Sequence, residues 1–279
     1  MAGPMTSAPC AVSVIRMTDI RVLLQPAYVL HQRAYRDTSL ILELFTPAQG
    51  RVGVIAKGVR GNKPRWRGLL QSFQPLLVSF NQRGELGLLT EAEAQGAALR
   101  INPQLIASGF YLNEILLRLL QRHDAQLELF GWYDTALREL ARLNVTDDAQ
   151  AELEIILRRF EIRLLTALGY GLVFDHDVHS TMPVQAEQEY IYFLEQGPVL
   201  LVEDSGPAEN AENNEAHMGI KISGHTLLAL QENDLSAATV RRQAKRLLRA
   251  MLGHYLGPKP LQSRQLLQQS AQLAQRMTH

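Results

Sequence analysis

TSLILELFTPAQGRVGVIAK, residues 38–57, is the stretch on which the reading of the fold turns. Leu40, Leu42 and Leu44 alternate onto one face of an extended segment, and Val52, Val54 and Ala56 do the same after the break. PAQG (47–50) between them has the composition of a turn. Two short strands joined by a tight turn predict a β-hairpin over 38–57.

Working outward, AYVLHQ (27–32) is a short apolar run, and Arg33 to Asp37 reads as a tight charged turn leading into the hairpin. After the hairpin comes GVRGNKPRWRG (58–68), too rich in glycine to be regular. WRGLLQSF (66–73) has room for one or two helical turns, and PLLVSFN (75–81) and ELGLLTEAE (85–93) read as two more strands around QRG (82–84). Five short strands with a longer connection after the third suit a small closed or partly open barrel. Such a barrel offers an open face and loops to oligonucleotides, although the pattern alone fits an SH3-like barrel too.

From about Asn102 the apolar period changes from two to that of a helix. Residues 104–123 carry Ile106, Phe110, Leu112, Ile115, Leu116, Leu119 and Leu120 in a helical pattern, and 128–143 follows. Residues 149–171 carry Leu153, Ile156, Leu157, Phe160, Leu164, Leu165 and Leu168, with Gly169 as the expected stop. EYIYFLEQ (189–196) and PVLLVED (198–204) predict a small hairpin. Two further helices are expected over 236–257, with Ser236 as N-cap, and over 260–277. The expected organisation is an extension over 1–20, with Met17 as a second candidate start, a barrel domain over 21–98, and a helical domain over 99–279. The polar segment 205–219 is expected to be mobile.

The chain has 279 residues, with 28 basic and 28 acidic side chains. The balance conceals an uneven distribution. No Asp or Glu occurs from Leu44 to Gly84, where Arg51, Lys57, Arg60, Lys63, Arg65, Arg67 and Arg83 lie. A basic region joined to a mildly acidic remainder points to a polyanionic partner. Cys10 is the single cysteine, so neither an intrachain disulfide nor a thiolate zinc site is expected. That suits a reducing cytoplasm. The opening residues lack a basic segment followed by a long apolar run, and no stretch reaches the roughly 18 apolar residues of a membrane span.

Catalytic and metal motifs are weak. FDHDVHS (174–180) gathers Asp175, His176, Asp177 and His179, but the spacing fits no closed metal motif and a solvated loop is the plainer account. The basic loop lacks the order G-x-x-x-x-G-K-[ST], and no G-x-S-x-G elbow occurs. What remains is cationic. Lys57, Arg60, Lys63, Arg65 and Arg67 lie on a glycine-rich path suited to phosphates. Trp66 in their midst either stacks on an unpaired base or packs on the barrel rim. Arg242, Lys245, Arg246 and Arg249 share one helical face. Arg158, Arg159 and Arg163 lie beside a Leu-rich stripe, with Glu152, Glu154 and Glu161 close enough for ordinary ion pairs.

Taken in order, RAYRDTSL (33–40), FTPAQGRVGVIAKGVR (45–60), LLQSFQPLLVSF (69–80), ELGLLTEAE (85–93), YLNEILLRLL (111–120), LRRFEIRLLTALGYG (157–171) and GPKPLQSRQLL (257–267) resemble the RecO family of bacterial recombination mediators. No one segment is decisive; their number and order carry the resemblance from about Tyr28 to Leu267. It implies an α+β chain: an N-terminal OB-fold barrel followed by a mainly α-helical domain with a small hairpin. It implies a cytoplasmic, non-enzymatic DNA repair protein, monomeric alone and nucleoid-associated on DNA. Such a protein binds single- and double-stranded DNA, anneals complementary strands and works with RecR to load RecA. It also engages the acidic–aromatic C-terminal tail of single-stranded-DNA-binding protein.

By motif position the tail falls to Arg158 and Arg159, and DNA to the basic loop and then the stripe Arg242–Arg249. Some relatives carry four zinc-binding cysteines near the equivalent of 176–220; none is present in that stretch here, so no cofactor is expected. An RNA-binding barrel protein of translation or RNA turnover is the alternative that the barrel by itself leaves open.

Overall fold

The computed structural model describes residues 20–61, 64–66, 68–144, 149–202 and 219–263. The extension before Ile20, the polar segment 205–218 and nearly all of the helix expected over 260–277 lie outside these residues, as do Lys63 and Arg67.

Five strands close into a barrel in the order β1-β2-β3-β5-β4: β1 (Ile20–Tyr35), β2 (Ser39–Thr46), β3 (Gly50–Ala56), β4 (Leu76–Arg83) and β5 (Leu86–Ala94). This is the OB-fold order. The hairpin forms as its alternation predicts, with Leu42 facing Val54 and Leu44 facing Val52, and all four side chains fully buried. The turn closes on Gly50, at φ +60, and a Cβ there would lie 1.7 Å from the Asp124 carbonyl oxygen. Only glycine meets both demands.

β3 and β5 run parallel, which forces the long connection 57–75 to cross the barrel end before β4 begins. Within it, no helix forms over the described part of 66–73; Trp66 and Phe73 sit at φ +59 and +66 in separate turns. β1 is also far longer than the apolar run 27–32. Its first half pairs with β4 and its second with β2, across two register shifts. Residues His31–Ala34 are all exposed, so sequence offered no apolar signal there; β2 supplies their backbone partners.

The helices α1 (Ile106–Leu119), α2 (Leu127–Arg142) and α3 (Ala149–Ala167) follow, and Gly169, at φ +78 just past the end of α3, is the expected stop. β6 (Glu189–Phe193) and β7 (Gly197–Leu200) form the expected hairpin. β8 (Ile220–Ser223), which pairs with the other edge of β6, and α4 (Gly224–Gln231) were not anticipated. Both are short and follow the polar segment. α5 (Ala238–Leu256) starts later than expected: Ala237 is the N-cap, and Ser236 instead offers its carbonyl to the Arg241 guanidinium. Among the described residues, no helix is long and apolar enough to cross a membrane.

The largest core joins barrel and helices. Tyr28 and Phe45 of the barrel pack against Phe130 and Tyr133 of α2, with Tyr28 and Tyr133 edge-to-face at 5.3 Å. Polar groups pin the same seam. The Asn113 side-chain amide donates to the Leu30 carbonyl at 3.0 Å and accepts from the Tyr133 hydroxyl at 2.5 Å. Arg51 reaches the Leu117 carbonyl at 2.5 Å, Arg122 pairs with Glu43, and the Tyr28 hydroxyl donates to Asp134. Burial, reinforced at Tyr28 by the Asp134 carboxylate, pushes the Tyr28 and Tyr133 hydroxyls above their ordinary range, so both stay neutral donors. The two sequence regions therefore share one core, and their surfaces are held in fixed relation.

Candidate nucleic-acid interface

The loop after β3 is basic and tied down. Lys57 is exposed where β3 ends, and Gly58 turns the chain at φ +72. The Arg60 N–H donates to the Thr38 carbonyl at 3.0 Å, and its guanidinium donates to the Arg36 carbonyl. The Arg65 N–H closes onto the Gly58 carbonyl at 3.0 Å, and its guanidinium reaches the Thr90 carbonyl of β5 at 2.7 Å. Carbonyl oxygens neutralise no charge, so Arg60 and Arg65 fix the loop while their positive fields remain available to an anion.

Trp66 resolves the choice left open by sequence mostly towards packing. It is half-buried against the barrel core, and the Arg65 guanidinium lies 4.3 Å from the centre of its ring. The stretch 33–37, expected as a charged turn, was not considered as part of the site: β1 runs on to Tyr35, so the turn is shorter than expected. Arg33 near the end of β1 and Arg36 in the turn are both exposed, and the Arg36 guanidinium carbon lies 5.1 Å from the centre of the Tyr35 ring. The signal was RAYRD, two arginines bracketing a tyrosine; Asp37 made it look like an ordinary mixed-charge turn.

Arg242, Lys245, Arg246 and Arg249 are all exposed along α5. Lys245 is committed to Glu154 of α3 at 2.8 Å, and Arg241 approaches the same carboxylate at 4.0 Å. Burial alone would raise the Glu154 carboxyl, but Lys245 and its other partners hold it below the usual range. Among the described residues, Arg242, Arg246 and Arg249 make no ion pair with a carboxylate.

The two neighbouring arginines of α3 part company. Arg158 turns inward, 7% exposed, and its guanidinium pairs with buried Glu161 at 2.6 Å. Glu161 also accepts from the Tyr111 hydroxyl at 2.5 Å. Arg158 therefore belongs to the α1–α3 packing and is not available to a surface ligand, contrary to its sequence-based placement. Arg159 is exposed and borders a cleft of about 140 Å³ shared with Trp132, Ala136, Ile156, Phe160 and Arg163. The Arg163 guanidinium stacks 4.3 Å over Trp132, which is 42% exposed. Trp132 escaped the sequence reading, because one tryptophan on an amphipathic helix looks like core.

The His/Asp segment 174–180 is organised by hydrogen bonds. Asp177 is buried and accepts from the backbone N–H groups of His179 at 2.9 Å, Ser180 at 2.6 Å and Leu200 at 2.5 Å, and from the Ser180 hydroxyl at 2.9 Å. The His176 ring pairs with its neighbour Asp175, at 2.7 Å. Among the described residues, no three His, Cys, Asp or Glu side chains come together as a metal site would require.

Comparison with known proteins covers both halves. Residues 20–97 match the family model described as Recombination protein O N terminal, and residues 101–265 match Recombination protein O C terminal. A DNA repair protein RecO from Nitrosospira multiformis is 43% identical over 249 residues, spanning 89% of this chain and 96% of that protein. Its namesake from Nitrosococcus oceani is 44% identical over 91% of this chain and 96% of its own length. One from Alkalilimnicola ehrlichii is 46% identical over 91% of this chain and 94% of its own.

Proposed function

For a chain that belongs to the RecO family of DNA repair proteins, we propose a non-catalytic role in which the barrel end holds a nucleic-acid backbone. The observation that carries this reading is the loop 57–68: among its described residues Lys57, Arg60 and Arg65 are exposed and make no ion pair with a carboxylate, and the loop is latched to the β1–β2 turn through Arg60 and to β5 through the Arg65 guanidinium. A phosphate chain needs closely spaced positive charge more than specific donors, and a fixed loop presents it without an ordering cost at binding. Single-stranded DNA is the ligand, with duplex DNA as a second substrate and strand annealing as the outcome. The exposed stripe of α5 would be a second cationic surface for the same ligand. The protein would act as a monomer in the cytoplasm with RecR to load RecA.

The cleft beside Arg159 suits a partner peptide of acidic and aromatic residues, the chemistry of the tail of single-stranded-DNA-binding protein. Arg159 and Arg163 supply guanidinium groups, and Ile156, Ala136 and Phe160 supply an apolar floor.

The test is the salt dependence of binding to matched DNA and RNA oligonucleotides. About five phosphates of a single strand neutralised predict a log–log slope of roughly −3.5. Replacing Lys57, Arg60, Lys63, Arg65 and Arg67 by Ala should flatten it while the fold is retained. An unchanged slope places the interface elsewhere, and tighter binding to RNA than to DNA favours an RNA-binding role.

A further inference from the structure

Two cation–aromatic pairs stand at the same end of the barrel, and they differ in kind. Arg65–Trp66 is consumed by the fold: the ring packs on the barrel core, and the guanidinium above it is anchored to the Thr90 carbonyl at 2.7 Å. Tyr35–Arg36 is open. Its ring is half-buried and its guanidinium is exposed at the longer distance of 5.1 Å. Among the described residues, neither the Tyr35 hydroxyl nor the Arg36 guanidinium makes a hydrogen bond.

The turn that displays this pair is nevertheless held. Arg36 occupies the left-handed region at φ +51, which a non-glycine residue adopts only at a cost. Its carbonyl accepts the Arg60 guanidinium, and the Thr38 carbonyl accepts the Arg60 N–H at 3.0 Å. The basic loop thus holds a tyrosine and an arginine in a strained turn at its own margin. Arg33 adds positive charge, and Asp37 is the one acid in the turn.

We propose that Tyr35 and Arg36 form the base-stacking element of this interface, selecting unpaired over paired nucleic acid. The inference rests on the reading that the barrel end holds a nucleic-acid backbone. An exposed contact between guanidinium and phenol is weak. An unpaired base gains more by lying on the tyrosine ring, and Arg36 can then cover its other face, since a guanidinium also stacks on bases. A duplex keeps its bases in its own stack and has none to offer. The loop would bind phosphates of either form; the turn would tell them apart.

The experiment compares Tyr35→Leu and Tyr35→Phe with the parent chain, using a labelled thymidine homopolymer and a duplex of equal length. Melting temperature establishes that each variant folds. The Leu variant should bind the single strand about tenfold more weakly and the duplex as the parent does, with an unchanged salt slope. The Phe variant, which keeps the ring, should retain single-strand affinity. If the Leu variant matches the parent, or Leu and Phe lose affinity alike, or the duplex weakens equally, the assignment of Tyr35 is wrong. A parent that binds neither oligonucleotide overturns the nucleic-acid reading itself.

Discussion

The barrel-end loop and the helix α3 are both rich in arginine, yet they dispose of their charge in opposite ways. In the loop, Arg60 and Arg65 bond to backbone carbonyls, so geometry is fixed and charge is left over. In α3, Arg158 meets the carboxylate of Glu161 inside the protein, and its charge is spent on packing. Its neighbour Arg159, one residue further round the helix, keeps its charge for the surface. What an arginine can do is decided by what lies opposite it, carbonyl, carboxylate or solvent.

The most severe way to sharpen this contrast is Arg158→Ala. It leaves Glu161 buried without its cation and should cost about 3–5 kcal/mol of stability. Arg159→Ala should change stability by no more than about 0.5 kcal/mol. Denaturant midpoints measure both; similar costs for the two variants would erase the distinction. Replacing Arg158 and Glu161 together by Met and Leu should recover much of the loss, because no buried charge then remains.

The second effect concerns the partner peptide. An arginine bonded to a carboxylate contributes about 1.5–3 kcal/mol, so Arg159→Ala should weaken a labelled acidic–aromatic tail peptide about tenfold or more. Binding to naked DNA should be largely spared. Equal loss of peptide and DNA would mean that cleft and barrel end are one surface.

Asp177 is the acidic counterpart of Arg158. Burial favours its neutral form, but the donors from Ser180, Leu200 and His179 outweigh this and hold the carboxyl below its usual range. The contribution is whole above the ordinary carboxyl value of about 3.9 and is lost as the pH falls below it, towards the depressed value in the fold. Asp177→Ala should cost about 1–3 kcal/mol and remove that share of the acid sensitivity. Urea midpoints measured from neutral to acid pH check it; a variant with the parent's full acid dependence would clear Asp177.

The smallest effect separates two cations on one face of α5. Arg246→Ala should reduce the single-strand salt slope by about 0.7, the share of one phosphate. Lys245→Ala should reduce it less, because its ammonium is already engaged by Glu154. Equal reductions would show that pairing with Glu154 leaves Lys245 free for DNA.

Alternation and turn composition sufficed for the hairpin 38–57, and helical periodicity located α1, α2, α3 and most of α5, because those elements bury one face each. The absence of acidic residues from 44 to 84 marked the basic loop. What sequence left unmarked depends on partners distant in the chain. The exposed half of β1 is a strand only because β2 lies beside it. β8 exists because β6 does.

The candidate sites divide along the same line. Charge is a property of a residue, so the sequence by itself determined where cations are dense and, through the order of its motifs, the family. Exposure and pairing are properties of surroundings, so tertiary structure alone decided the rest. It turned Arg158 onto Glu161 and left Arg159 beside Trp132. It also drew Arg65 over Trp66 and left Tyr35 open. The physical reason is that taking an ion from water is costly unless a partner waits inside, and only the folded chain brings that partner within reach.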